Sequence, residues 1–558
     1  VTTVTGIEAF LEVLHRSGVR HIFGNPGTTE LPLNHALVGD HRFQYLFALQ
    51  EIPVVTMAGG YAMASGHVGV ANVHISCGLG NAMGMLYNAH CEGTPLVLTA
   101  GHQDQRLRMG EPVLEGDIVR VARPWTKWSA EVHRAQDIPT AVRRAIQTAL
   151  TQPTGPVFLA LPLDLQMEAS DCFELSGAHV PDRHVRPPLE ALRRAADILA
   201  AAKNPVILAG SRVMEAAGAA ELTAVAERLG APVYAEAGTA HGRLPMAADH
   251  PLYFGSLPLW SPGVHKLLAP FDVALAVGLN LLKMYLYQEP ERAIPAQVRI
   301  VHLDSDPWQI GKNYPVELGL LGDPKAGLAE LDDLLAERIT PAAVSAAESR
   351  RKQYAARREA ERRELLKCID AERPRRPMTA MVLMEALARG LPPRAVVVEE
   401  AVTTHHTLLE KLGTFQDPSG HFAHRGWALG WGLGTALGVK LAWPDRPVAA
   451  LLGDGAAMYG IQGLWSAAHH RIPVTFVIAN NAQYQILKVC GDVMSLEKLS
   501  DPACPGMNLT DPTIDFVGLS RALGVEAQRV TEPDELTERL RVSLSGDKPL
   551  VLEVPVAG

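Results

Sequence analysis

"GDGAAMYGIQGLWSAAHHRIPVTFVIANN", residues 453–481, sets one acidic residue between two glycines and closes on two adjacent asparagines. The preceding "RPVAALL" is a short aliphatic run that reads as a buried strand, and the glycines after it mark a tight turn. Ile461, Leu464, Trp465 and Ala468 then recur at helical spacing, so "IQGLWSAAHHRI" reads as a helix. Pro473 resets the chain into "VTFVIANN", a second buried strand. A strand, a helix and a strand make a βαβ unit, which is right-handed with parallel strands. Asp454 and Asn481, 27 positions apart, therefore leave the same carboxyl edge of one sheet, where open α/β sheets bind ligands.

A carboxylate beside an amide oxygen offers hard donors for a small cation such as Mg²⁺, which shares its coordination sphere with phosphates and water. Gly453 and Gly455 permit close backbone approach, and the amides that follow, from Ala456 on, can face a phosphate at a helix start. An Asp cap and an Asn-Asn turn in an ordinary βαβ unit would account for each end separately. Both ends together, as "GDG" followed by "NN", resemble the signature of the thiamine-diphosphate (ThDP) enzyme superfamily. That resemblance implies that Asp454, the Asn481 side chain and the backbone carbonyl of Gln483 hold Mg²⁺, with Tyr484 beside the cofactor.

The 558 residues exceed what one core normally supports, so several domains are expected. A composition 47% hydrophobic and 20% charged is that of a globular protein, and a net charge of −9 argues against a nucleic-acid partner. No apolar run approaches the ~18 residues of a membrane span, and the first residues lack the basic and apolar regions of a signal peptide, so a cytoplasmic enzyme is expected. The six cysteines show no CxxC spacing, hence neither a zinc site nor a disulfide framework is indicated.

Alternating strand and helix patterns divide into three doubly wound parallel-sheet domains: residues 1–170, a central domain over 186–338, and 377–558, with a solvated helical linker over 339–376. Three such blocks would amount to a coarse repeat. "GLGNAMG" at 78–84 and "GLGTALG" at 432–438 have GxGxxxG spacing, which departs from the dinucleotide fingerprint and fits close helix packing better.

In "FQYLFALQEIPVVTMAGG" an apolar strand runs through Glu51 into a helix rich in small residues. A helix-start carboxylate is one reading of Glu51. The resemblance implies another, in which Glu51 hydrogen-bonds the aminopyrimidine of ThDP and exchanges a proton with it. "FGNPGTTELP", "ALQE", "HISCGLGNAMG" and "GPVFLALPLD" follow the order found in benzoylformate decarboxylases, and this likeness extends over essentially the whole chain. It makes the first domain the pyrimidine-binding one and the third the diphosphate-binding one. It places a proton-handling histidine at His74, otherwise readable as a core histidine, and Thr28 at the position of a serine. It also puts Leu429 at a bulky wedge under ThDP, the Trp427 carbonyl at the cofactor's amino group, and the Thr403 hydroxyl on the diphosphate.

The pattern breaks in the central domain. "VGLNLLKMYLYQEP" has no histidine where those enzymes use a second one, and Tyr285 aligns there. Leu114, Tyr285, Ile486 and Cys490 are the expected substrate-pocket residues, and His405, His406 and His424 are the candidates for a replacement proton carrier. The resemblance implies a Mg²⁺- and ThDP-dependent non-oxidative decarboxylase that turns a 2-oxo acid into an aldehyde and CO₂. A carboligase or 2-hydroxyacyl lyase resembling acetolactate synthase is the alternative. A homodimer or homotetramer with active sites shared between subunits is implied as well.

Overall fold

The computed structural model describes residues 3–558 except 172, 237–241, 405–406 and 502. It contains three six-stranded sheets, each parallel throughout. Their inner strands are short, mostly aliphatic and buried on both faces, as sheets covered by helices on either side require.

Numbered by chain order within its own domain, the first sheet runs 2-1-3-4-6-5. Its strands in space are Gln44–Phe47, His21–Gly24, Gly69–Val73, Leu96–His102, Val157–Pro162 and Trp128–Glu131. The third sheet repeats that order with His421–Ala423, Val396–Glu400, Val448–Gly453, Thr475–Asn480, Leu550–Pro555 and Glu526–Arg529. The central sheet, by contrast, runs 3-2-1-4-5-6 through Tyr253–Ser256, Val233–Ala235, Pro205–Ala209, Val273–Val277, Arg299–Asp304 and Leu318–Leu321. The coarse repeat expected from three α/β blocks thus holds for the outer two alone. Antiparallel pairing of Val4–Thr5 with Ala169–Ser170 ties the two ends of the first domain together. A 32-residue helix, Pro341–Glu372, joins the central and third domains, burying Ala347 and Ile369 and exposing most of its charged residues.

The two GxGxxxG stretches lie in helices Ile75–Glu92 and Trp431–Ala442. Glycine-mediated packing brings the first and third domains together. Helix Glu51–Ser65 lies along Trp431–Ala442, where a Cβ on Gly434 would collide with Thr56 and one on Gly438 with the Met57 carbonyl. Contacts advance in the same direction along both helices, so their N-termini lie side by side, with Ile52 against Gly430. No helix among the described residues is long and apolar enough to cross a membrane.

One local expectation needs correction. The helix expected over residues 461–472 is present as Gly463–His469, but a separate short helix, Asp454–Tyr459, stands where a tight turn was expected after the strand. The break comes at Gly460, whose missing side chain makes room for the Gly430 carbonyl, 2.7 Å from where a Cβ would stand.

Candidate active site

In a 2-1-3 arrangement the crossovers leave strands 1 and 3 in opposite directions, which opens a crevice at their carboxyl ends. In the first domain Asn25 and His74 flank that crevice. In the third domain the flanking residues are Glu400 with the turn after it, and Asp454.

Glu51 opens its helix and is only 4% exposed. Asn25 Nδ2 donates to Oε1 at 3.0 Å and Asn81 Nδ2 to Oε2 at 3.1 Å. The surroundings anticipated for Glu51 were apolar, yet two amides hold it in one orientation. Gly78 lies under the same carboxylate, and a Cβ there would stand 3.1 Å from Oε1.

His74 is the residue before helix Ile75–Glu92. Its Nδ1 lies 2.7 Å from Oε2 of Glu30, which is 1% exposed. Glu30 is fixed in turn: Oε1 accepts from the Gly101 amide at 2.7 Å and the Thr29 hydroxyl at 2.9 Å, and Oε2 accepts from the Gly27 amide at 3.1 Å. Thr29, whose Oγ1 is 3.2 Å from His74 Nδ1, is buried against the histidine, whereas Thr28 is exposed at the start of the same turn. Leu114 approaches from the loop that follows, where its carbonyl accepts from Ser76 Oγ at 2.7 Å in the first turn of the His74 helix.

On the third domain, Asp454 is the first residue of its helix and Gly453 the cap. Asp454 Oδ1 accepts from the Gly455 amide and Oδ2 from the Ala482 amide, both at 2.7 Å. Asn481 Oδ1 accepts from the Gln483 amide at 3.1 Å. The carboxylate, the amide and the 481–483 turn therefore converge. Burial raises the pKa of Asp454 against the pull of the backbone amides around it. A buried carboxylate met by backbone N–H groups alone is suited to a cation. Tyr484 covers the turn so closely that a Cβ on Gly455 would stand 2.5 Å from its ring. Among the described residues no three His, Cys, Asp or Glu side chains form a metal cage. The Asp454, Asn481 and Gln483 oxygens would thus form a mixed set, of the kind Mg²⁺ completes with phosphate and water. Lys488 Nζ bonds the Gln483 side chain and, at 3.0 Å, Asn508 Oδ1.

Thr403 is half-buried in the turn after Val396–Glu400. Trp427 adopts φ +67 and Gly430 φ +99, with the half-buried Leu429 between them. The Trp427 ring stacks on Tyr285 of the central domain at 5.0 Å and 22°, and burial, with Cys490 nearby, pushes the pKa of the Tyr285 hydroxyl up. Ile486 is half-buried in the first turn of helix Gln485–Val493, which also carries Cys490. His424 is buried, and its Nδ1 accepts from the Trp427 amide at 3.1 Å, so it shapes this turn. His405 and His406 lie outside the described residues.

Sequence reasoning did not single out Asn25, Glu30, Asn81 or Glu400. Glu30 stands inside the quoted "FGNPGTTELP", where an acidic residue in a Pro-Gly turn was the one available signal.

The sequence matches three thiamine pyrophosphate enzyme families: the N-terminal TPP binding domain over residues 4–119, the central domain over 192–331 and the C-terminal TPP binding domain over 401–554. It is 33% identical over 555 residues to a benzoylformate decarboxylase of Pseudomonas aeruginosa, with 98% of each chain covered. It is 27% identical over 565 residues to a probable acetolactate synthase large subunit of Methanocaldococcus jannaschii, covering 99% of this chain and 92% of that one. The crystal structure of benzoylformate decarboxylase from Polynucleobacter necessarius superposes with a TM-score of 0.86 at 28% identity, over 99% of this chain and 98% of the other.

Proposed function

This chain belongs to the thiamine pyrophosphate enzymes, and from that premise we propose that it is a Mg²⁺-dependent, non-oxidative decarboxylase of a 2-oxo acid, releasing an aldehyde and CO₂. The observation that carries this reading is the contact of buried Glu30 with the half-buried His74 at the first switch point, which equips the site with an oriented acid–base group. When bound, ThDP supplies the electron sink that lets a carboxylate leave as CO₂.

The chain's own residues supply the rest. Asp454, Asn481 and the Gln483 carbonyl would hold Mg²⁺, and Gly453, Gly455 and Ala456 would let the backbone approach a diphosphate. Thr403 adds a hydroxyl on the same side. The Trp427 carbonyl and the Leu429 side chain orient the pyrimidine, while Tyr484 closes the turn. Glu51, fixed by Asn25 and Asn81, would exchange a proton with a pyrimidine nitrogen. With Nδ1 engaged by Glu30, His74 would have Nε2 free to move a proton at the substrate. Thr28 stands at the mouth of this site. Leu114, Tyr285, Ile486 and Cys490 line the substrate side chain, and with Tyr285 where benzoylformate decarboxylases carry a second histidine, phenylglyoxylate is not assumed as the substrate. We further propose a cytoplasmic dimer or tetramer; within one chain the Glu51 helix already starts beside the 427–430 turn, with Ile52 against Gly430, so sharing of each site between the first domain of one subunit and the third of another is the arrangement that subunit mixing tests.

Similarity to an acetolactate synthase along almost the full length favours a second reading, a carboligase joining two 2-oxo acids. A panel of 2-oxo acids incubated with protein, ThDP and Mg²⁺ tests the two. Stoichiometric CO₂ and aldehyde are expected; hydroxy-ketone products without free aldehyde would replace the decarboxylase by the carboligase.

A further inference from the structure

Glu400 ends strand Val396–Glu400 and is 1% exposed. Successive strand residues face opposite ways. Glu399 faces His421, with Oε2 3.0 Å from Nε2. Glu400 faces the segment that leads into helix Trp431–Ala442. Its Oε1 accepts from the Gly430 amide at 2.8 Å and the Trp431 amide at 3.0 Å, and its Oε2 accepts from the Gly432 amide at 2.8 Å. One carboxylate thus takes up three successive N–H groups at a helix N-terminus, the place where a bound anion often sits. The chain's own side chain fills that place here, leaving the diphosphate to the other helix start, at Asp454.

Residues 427–430 depend on this anchor. Trp427 is held at φ +67 and Gly430 at φ +99, conformations that an L side chain adopts rarely. Ile52 and Tyr459 press on Gly430, where a Cβ would stand 3.1 and 2.8 Å from them. Gly432 closes on Glu400 itself, with a Cβ there 2.9 Å from the Glu400 Cβ. Without the carboxylate three N–H groups would be unpaired in a buried turn, and the backbone would rearrange to satisfy them.

We propose that Glu400 is a positioning residue for ThDP, fixing the 427–432 backbone so that the Trp427 carbonyl and Leu429 meet the pyrimidine side of the cofactor. The inference rests on the reading of Trp427 and Leu429 as cofactor contacts. It separates Glu400 from an ordinary helix cap, which would stabilise the fold and leave ligand affinity alone.

The test compares two ligands in the full chain. Mg²⁺ with inorganic diphosphate engages the Asp454 end alone, whereas Mg²⁺ with ThDP also needs the 427–432 turn. Titration calorimetry on Glu400→Gln is expected to show ThDP affinity at least tenfold weaker, with diphosphate affinity within threefold of wild type. Equal losses for both ligands would make Glu400 a general structural residue and overturn the proposal, as would unchanged affinity for both. Should Glu400→Gln fail to fold, Glu400→Asp keeps the charge but withdraws it from the amides, and the same ligand contrast is expected. Leu429→Ala serves as the control on the underlying reading. If it binds ThDP as wild type does, the assignment of the 427–429 turn fails rather than the role of Glu400.

Discussion

Glu30 Oε2 lies 2.7 Å from His74 Nδ1, and both oxygens of Glu30 are already committed to the amides of Gly27 and Gly101. The carboxylate cannot follow the imidazole if it moves, so it dictates where the ring points. Glu30→Gln keeps the size but loses the charge. The expected result is a turnover loss of about 10–100-fold, smaller than the roughly 10²–10⁴-fold typical of deleting an acid–base group outright, as in His74→Ala. Binding of ThDP should be unchanged in both. Steady-state kinetics on the best 2-oxo acid checks this, and full activity in Glu30→Gln would reduce the pair to a turn-closing contact.

Glu51→Gln should bind ThDP and yet lose most turnover, because an amide held by Asn25 and Asn81 cannot pass a proton to the pyrimidine. Exchange of the ThDP C2 proton for deuterium, followed by NMR, reads the step directly. Wild-type exchange rates in the variant would remove Glu51 from the mechanism.

Asp454→Ala removes the one charged group from the 454–483 donor set. Mg²⁺-dependent ThDP binding, measured by calorimetry, is expected to fall by 100-fold or more, about 3 kcal/mol or greater at 1.4 kcal/mol per decade. Retention of Mg²⁺-dependent affinity would place the metal elsewhere.

Glu92 ends helix Ile75–Glu92 in a buried position, where burial pushes its pKa up to about 8 from an ordinary 4.5 despite the hydroxyl of Thr94, 3.1 Å away. The folded value lies above the unfolded one, so the native state holds the extra proton between those values. Stability therefore falls as pH rises through that interval, and the full cost of the charge is present above pH 8. Glu92→Gln carries no such charge. Its apparent Tm should match wild type near pH 4, below the unfolded value, and exceed it by a growing margin up to pH 9, by an amount on the order of 1 kcal/mol or more in stability. Parallel pH profiles for the two proteins would contradict this.

If the sites are shared between subunits, mixing Glu51→Gln and Asp454→Ala chains under subunit exchange should restore activity that neither has alone. A mixed dimer would pair both lesions at one site and both intact residues at the other, so roughly a quarter of wild-type activity is expected from random mixing. Verified mixed dimers without activity would place both halves of the site in one chain.

The 453–481 stretch was sufficient to announce a parallel βαβ unit with two oxygen donors at one sheet edge, because strand period, turn glycines and crossover handedness are local rules. The first-domain motifs likewise marked Glu51 and His74. Only the tertiary structure decided what holds them. Asn25 and Asn81 reach Glu51, Glu30 reaches His74, and Glu400 reaches Gly430, Trp431 and Gly432, across separations of 26 to 44 residues. Those partners meet because strands adjacent in space are not adjacent in sequence. The 2-1-3 order sets the ends of strands 1 and 3 side by side, and no local period encodes which side chains then touch. The break at Gly460 and the Trp427–Tyr285 stack have the same origin, since each is imposed by a neighbour from another part of the chain.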